Sequence, residues 1–138
     1  MLRSAALVAA IALVTAGGAS AETVARGTGF GLLALDAHGT PSVAYVRGDA
    51  LVLATRKQPN DWARAEAASV PVGSSVMAFE IGAQGPVMLV GSADERKIFL
   101  VRRRSVGWQT VLVAGVAARY RLGWPGLALD PKGLPVVS

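Results

Sequence analysis

The chain has 138 residues, 52% of them hydrophobic, with 14 Lys and Arg against 9 Asp and Glu for a formal charge of +5. That balance excludes a disordered chain, a collagen and a polytopic membrane protein. It contains no Cys and one His, so disulfide frameworks and thiolate metal sites are excluded, and most His-based catalytic or metal designs lose their residues.

The N-terminus carries a short basic end at Arg3, an uncharged apolar run from Ala5 to Val14, and a small-x-small site at Ala19 and Ala21. Those are the three parts of a secretory signal peptide. The run is too short to span about 30 Å of hydrocarbon with ease. The expectation is a signal-peptide helix over 1–21, cleavage after Ala21, and a periplasmic or secreted mature chain of 117 residues, 138 less 21. No stable membrane insertion is expected after cleavage. An exported chain without Cys also avoids unwanted oxidation.

Gly27-Thr28-Gly29-Phe30-Gly31 has the glycine density of a phosphate cradle. It leads into a strand rather than a helix and no Lys-Ser/Thr follows, so it reads as a flexible leading segment. Four short strands are then predicted, near Gly31–Leu35, Ser42–Val46, Leu51–Arg56 and Trp62–Ala67. Their joins carry turn chemistry: Asp36 to Pro41, Arg47-Gly48-Asp49, and Gln58-Pro59-Asn60-Asp61. Arg64 to Ala68 has some helical character, but it is short and lacks a cap. Four more strands are predicted near Val76–Ile81, Val87–Val90, Lys97–Arg102 and Trp108–Val113. A third stretch, Leu127-Ala128-Leu129-Asp130-Pro131-Lys132-Gly133-Leu134-Pro135-Val136, opens in the same way.

These stretches share a pattern: apolar-Ala-apolar-acid, a Gly-containing turn, a Pro, and a second apolar run. Ala34, Ala78 and Ala128 mark it at spacings of 44 and 50. Arg56 and Arg102 each stand six residues before a Trp, Trp62 and Trp108. Two features in phase predict an internal repeat of about 45 residues, the length of a four-stranded propeller blade.

The run Leu33-Ala34-Leu35-Asp36-x-x-Gly39-x-Pro41-x-Val43-x-Tyr45, followed by Ala54-Thr55-Arg56 and Trp62, resembles repeats of secreted bacterial β-propeller proteins, some loosely sialidase-like. The Pro125 to Gly133 stretch is similar to the opening of an NHL-type blade. The resemblance implies an all-β fold of antiparallel four-stranded blades over 22–138: about 30–73, about 74–123, and a partial one over 124–138. It departs from the sialidase Asp-box, because neither Asp36 nor Asp130 has the required Ser and nearby Trp, so sialidase activity is not implied. Two and a half blades do not close a ring. The favoured explanation is a truncated product of a longer gene; assembly with other copies and a small sandwich are the alternatives. Exposed strand edges would also permit self-association.

The expected role is a binding or interaction module, for a glycan or a protein, rather than an enzyme. The alternative is part of a glycan-processing or lactonase-type propeller hydrolase whose catalytic residues lie in missing blades. No catalytic residue, cofactor or metal ligand is assigned. Loops at one end of the blades are expected to present Asp36, His38, Arg47 and Asp49. Asp36, Glu80 and Asp130 are expected at equivalent turn-shaping positions. Arg102, Arg103 and Arg104 form the candidate patch for an anionic partner, although an edge strand also uses such charges to discourage pairing. Nucleic acid is not expected, because only Trp108 lies near those arginines. Ser74 and Ser75 lack a nucleophile-elbow pattern. Trp62, Trp108 and Trp124 are candidate sugar platforms, the first two better suited to packing.

Overall fold

The computed structural model describes residues 24–25 and 29–138. Residues 1–21, expected to form a signal peptide, lie outside the described residues. What is described is all-β and antiparallel. The first sheet runs in order β1 (Gly31–Leu35), β2 (Pro41–Arg47), β3 (Ala50–Gln58) and β4 (Asp61–Ser69). The second has the same connectivity: β5 (Ser75–Gly82), β6 (Gly85–Gly91), β7 (Lys97–Arg103) and β8 (Trp108–Gly115). A hairpin follows, β9 (Leu127–Leu129) with β10 (Pro135–Val137). Arg64 to Ala68 lies in β4, not in a helical turn. Among the described residues no closed propeller ring is present.

The middle strands are apolar on consecutive residues because they are covered on both faces. Ser42 to Tyr45, Leu51 to Ala54 and Val87 to Val90 are all buried. Three apolar layers result. Ala44, Leu51, Leu53 and Ala67 of the first sheet meet Val76, Phe79, Met88, Val90 and Val101 of the second. The opposite face of the first sheet carries Val43, Tyr45, Val52, Ala54 and Trp62, with Val24 packed on it. The opposite face of the second carries Val87, Leu89, Ile98 and Leu100, against which Leu122, Leu127 and Leu129 pack. The two sheets and the hairpin are therefore stacked face to face, with β5 lying against both β1 and β9.

The two sheets share details beyond strand order. Pro41 pairs with Leu35, Pro86 with Ile81 and Pro135 with Leu129, each near the start of its strand. There the missing N–H costs little. β4 bulges at Ala67 and β8 at Val113, each five residues after its Trp. Trp62 lies on the first sheet's face away from the second, and Trp108 lies on the second sheet's face toward the first. Both rings thus point to the same side of their own sheets. The expected Arg–Trp spacing needs correction, however. Trp62 pairs with Arg56, but Trp108 pairs with Arg103, while Arg102 pairs with Gln109. Lys57 has no cross-strand partner, and that bulge adds the one residue of difference.

Candidate functional site

Each antiparallel turn reverses the chain, so successive turns fall at opposite ends of a sheet. The β1–β2 and β3–β4 turns share one end, the turn end. The β2–β3 turns and the segments joining one unit to the next share the other, the loop end. This separates the four residues expected together. Asp36 and His38 lie at the turn end, whereas Arg47 and Asp49 lie at the loop end. The seven residues of β2 between them span about 20 Å at 3.3 Å per residue.

Asp36 and Asp130 build the same turn. Asp36 Oδ1 accepts the N–H groups of His38 and Thr40, both at 2.8 Å. Asp130 Oδ1 accepts those of Lys132 and Leu134, also at 2.8 Å. Gly39 and Gly133 both adopt φ +78°, where any side chain is strained. The Thr40 N–H, with that of His38, holds the Asp36 carboxyl below its ordinary range. Glu80 is not equivalent. It lies within β5, opposite Val87, one residue before Ile81, and the β5–β6 hairpin turns at Ala83-Gln84. His38 is exposed beside Arg56 and Lys57 in a shallow groove.

The three consecutive arginines do not act as one patch. Arg102 Nε donates to Gln109 Oε1 at 2.9 Å. Arg103 points to the opposite face and stacks on Trp108, 5.4 Å from the ring centre. Arg104 enters the exposed turn, its N–H donating to Gly107 O at 2.9 Å.

The loop end holds the more elaborate surface. Gly48, φ +64°, takes the first central position of the Arg47–Ala50 hairpin. Gly73, φ +83°, closes a turn in which Ser74 N–H donates to Pro71 O at 3.0 Å. Between these turns lies a cavity of about 350 Å³ lined by Phe30, Arg47, Val72, Ser74 and Ser75. The Ser74 hydroxyl is buried and has no hydrogen-bond partner among the described residues. A second cavity of about 290 Å³ adjoins it through Ser75 and is lined by Met77, Ser92, Glu95, Lys97 and Trp124.

The 92–97 loop that shapes the second cavity is heavily cross-linked. Ser92 Oγ donates to Asp94 Oδ1 at 2.5 Å and accepts Lys97 N–H at 3.0 Å. Arg96 pairs with Asp94 at 2.6 Å. The Ser92 hydroxyl, then Arg96, lowers the Asp94 carboxyl to about 2. Glu95 adopts φ 57°, a left-handed conformation that costs a non-Gly residue about 1–2 kcal/mol. Its carbonyl accepts Leu122 N–H at 2.7 Å, tying the segment before Trp124 to the second sheet. Trp124 itself is 75% exposed and Phe30 74%, whereas Trp62 is only 6% exposed. Of the three tryptophans, Trp124 alone offers a free ring face. The surface combines cations at Arg47 and Lys97, a carboxylate at Glu95, serine hydroxyls and exposed rings.

Among the described residues no group of three His, Cys, Asp or Glu is placed to hold a metal ion. His38 lies at the turn end, so it does not pair with Ser74 or Ser75. Glu95 and Lys97 escaped sequence reasoning because a charged pair in a short loop carries no signal until the segment bearing Trp124 folds onto it. Comparison with protein-family models, curated proteins and solved structures found no match.

Proposed function

We propose that the protein is an exported binding module built from propeller-type blades, and that its ligand is received at the loop end. The blade reading is supported by the face-to-face stacking of two alike meanders, with β5 between β1 and β9. The observation that carries the binding role is the pair of adjoining cavities sharing Ser75, flanked by the exposed rings of Phe30 and Trp124. Exposed rings beside hydroxyls and mixed charges suit a ligand with an apolar face and a polar rim, which is the chemistry of a sugar. Tryptophan emission is the direct readout. Titration with cello-, chito- and maltohexaose is expected to quench Trp124 for at least one sugar. Trp124→Ala is expected to weaken that binding by about tenfold or more, the loss of one stacking contact of roughly 1–2 kcal/mol. A response that survives Trp124→Ala, or silence toward all three sugars, counts against the reading.

A further inference from the structure

A second surface, at the turn end and independent of the loop-end reading, has a different chemistry. A groove of about 330 Å³ is lined by residues of both four-stranded sheets. Lys57, Ala63 and Ala65 line it from the first sheet, and Pro86, Arg103 and Trp108 from the second. No Asp or Glu is among its lining residues. We propose that this groove binds an acidic polysaccharide, its carboxylate or sulfate held by Lys57 and Arg103.

Four observations converge on it. First, several neighbouring cations are held by hydrogen bonds or ion pairs, whereas the Lys57 and Arg103 side chains are not. Arg64 donates to the carbonyls of Val24 and Trp62, Arg96 pairs with Asp94, and Arg102 is held by Gln109. The Lys57 and Arg103 side chains make no hydrogen bond or ion pair to the described residues. Second, Arg103 is positioned in advance. Its stack on Trp108 restrains the guanidinium plane and leaves its N–H edges free, so little freedom is lost on binding an anion. Third, the Lys57 bulge frees that residue from its cross-strand pairing, and the small exposed Ala63 and Ala65 clear the space beside it. Fourth, the carboxylate nearest in sequence to Lys57, Asp61, sits in the β3–β4 turn within 3.5 Å of Gln58 Nε2 and does not line the groove.

The shape selects among polyanions. A nucleic acid needs a row of ring faces for its bases, and the one ring here is already covered by Arg103. A lipid surface is met by cations spread over a broad face, whereas Lys57 and Arg103 stand together in one shallow groove beside the half-buried Trp108. A sugar chain bearing isolated anionic groups on an apolar ring fits both the recess and its paired charges.

Calorimetric titration of the full chain with a heparin-derived hexasaccharide and with hexagalacturonate tests this, with a neutral dextran hexamer for comparison. At least one acidic oligomer is expected to bind and the dextran is not; which acid binds assigns the site to sulfate or carboxylate. Lys57→Gln and Arg103→Gln should each weaken binding about tenfold, the scale of one charge-assisted hydrogen bond. Arg103→Lys, which keeps the charge but loses the planar stack, should fall between. Lys132→Gln, in the exposed β9–β10 turn and outside both binding surfaces, should leave affinity unchanged. Unchanged circular dichroism and melting temperature exclude misfolding of the variants. The proposal is overturned if neither acid binds, if dextran binds equally, if the Lys57 and Arg103 variants keep full affinity, or if Lys132→Gln weakens binding as much.

Discussion

Three aspartates show how a carboxylate at the surface shapes this chain through local hydrogen bonds. Asp36 and Asp130 each collect two N–H groups of their own turn, and Asp94 is gripped by Ser92 and Arg96. The turn-building role of Asp36 and Asp130 was readable from Asp-x-x-Gly. That of Asp94 was not, because nothing local announces a Ser92–Asp94–Arg96 network. A carboxyl whose folded pKa is depressed stabilises the fold fully above its unfolded value, and that contribution is lost as pH falls through the folded one. For Asp94 the window runs from the ordinary 3.8 down to about 2. The melting temperature, followed by circular dichroism, should therefore fall more steeply between pH 4 and pH 2 in the native chain than in Asp94→Asn. Parallel curves would show that the network contributes nothing to stability.

At the scale of elements, every strand expected in the two four-stranded stretches lies within an observed strand, and no end differs by more than two residues. The expectation succeeded because the middle strands are continuous β-branched and aliphatic runs bounded by Gly, Pro, Asn and Asp. It missed the bulges at Ala67, Met77 and Val113 and at Lys57, since an extra residue in one strand is defined only by its partner. The Arg–Trp register slipped by one for that reason. Packing between the sheets dominates this scale. Met88 is fully buried between them, whereas Val106 is almost wholly exposed in the β7–β8 turn. Met88→Ala should cost about 3 kcal/mol, as core truncations do, and Val106→Ala close to nothing. Urea unfolding of both variants checks the contrast, and equal small losses would mean the two sheets are not tightly packed.

At the scale of the molecule, charge and edges matter more than any single side chain. The outer edge of the second sheet is β8, where Val111, Leu112 and Val113 are all exposed. An apolar edge with unpaired N–H and C=O groups invites pairing with another copy. Sedimentation velocity should show association that grows with concentration, and Leu112→Lys should suppress it by placing a charge on that edge. Concentration-independent sedimentation of the native chain would rule this out.

Local chemistry was legible in the sequence by itself: the strands, the turn residues, and the continuous apolar runs of the middle strands. These follow from interactions between residues a few positions apart. Which residues meet was decided only by the tertiary structure. Asp36 and Arg47 are 11 positions apart, and the extended strand β2 between them already keeps them at opposite ends of the sheet. Lys57 and Arg103 are 46 positions apart, yet stacking of the sheets sets them on facing walls of one groove. A turn and a strand are dictated by nearby residues. A site between two sheets exists only after their apolar faces have closed on each other, because that closure, driven by burial of Met88, Val90 and Val101 against Ala44, Leu51 and Leu53, sets the distance between the walls.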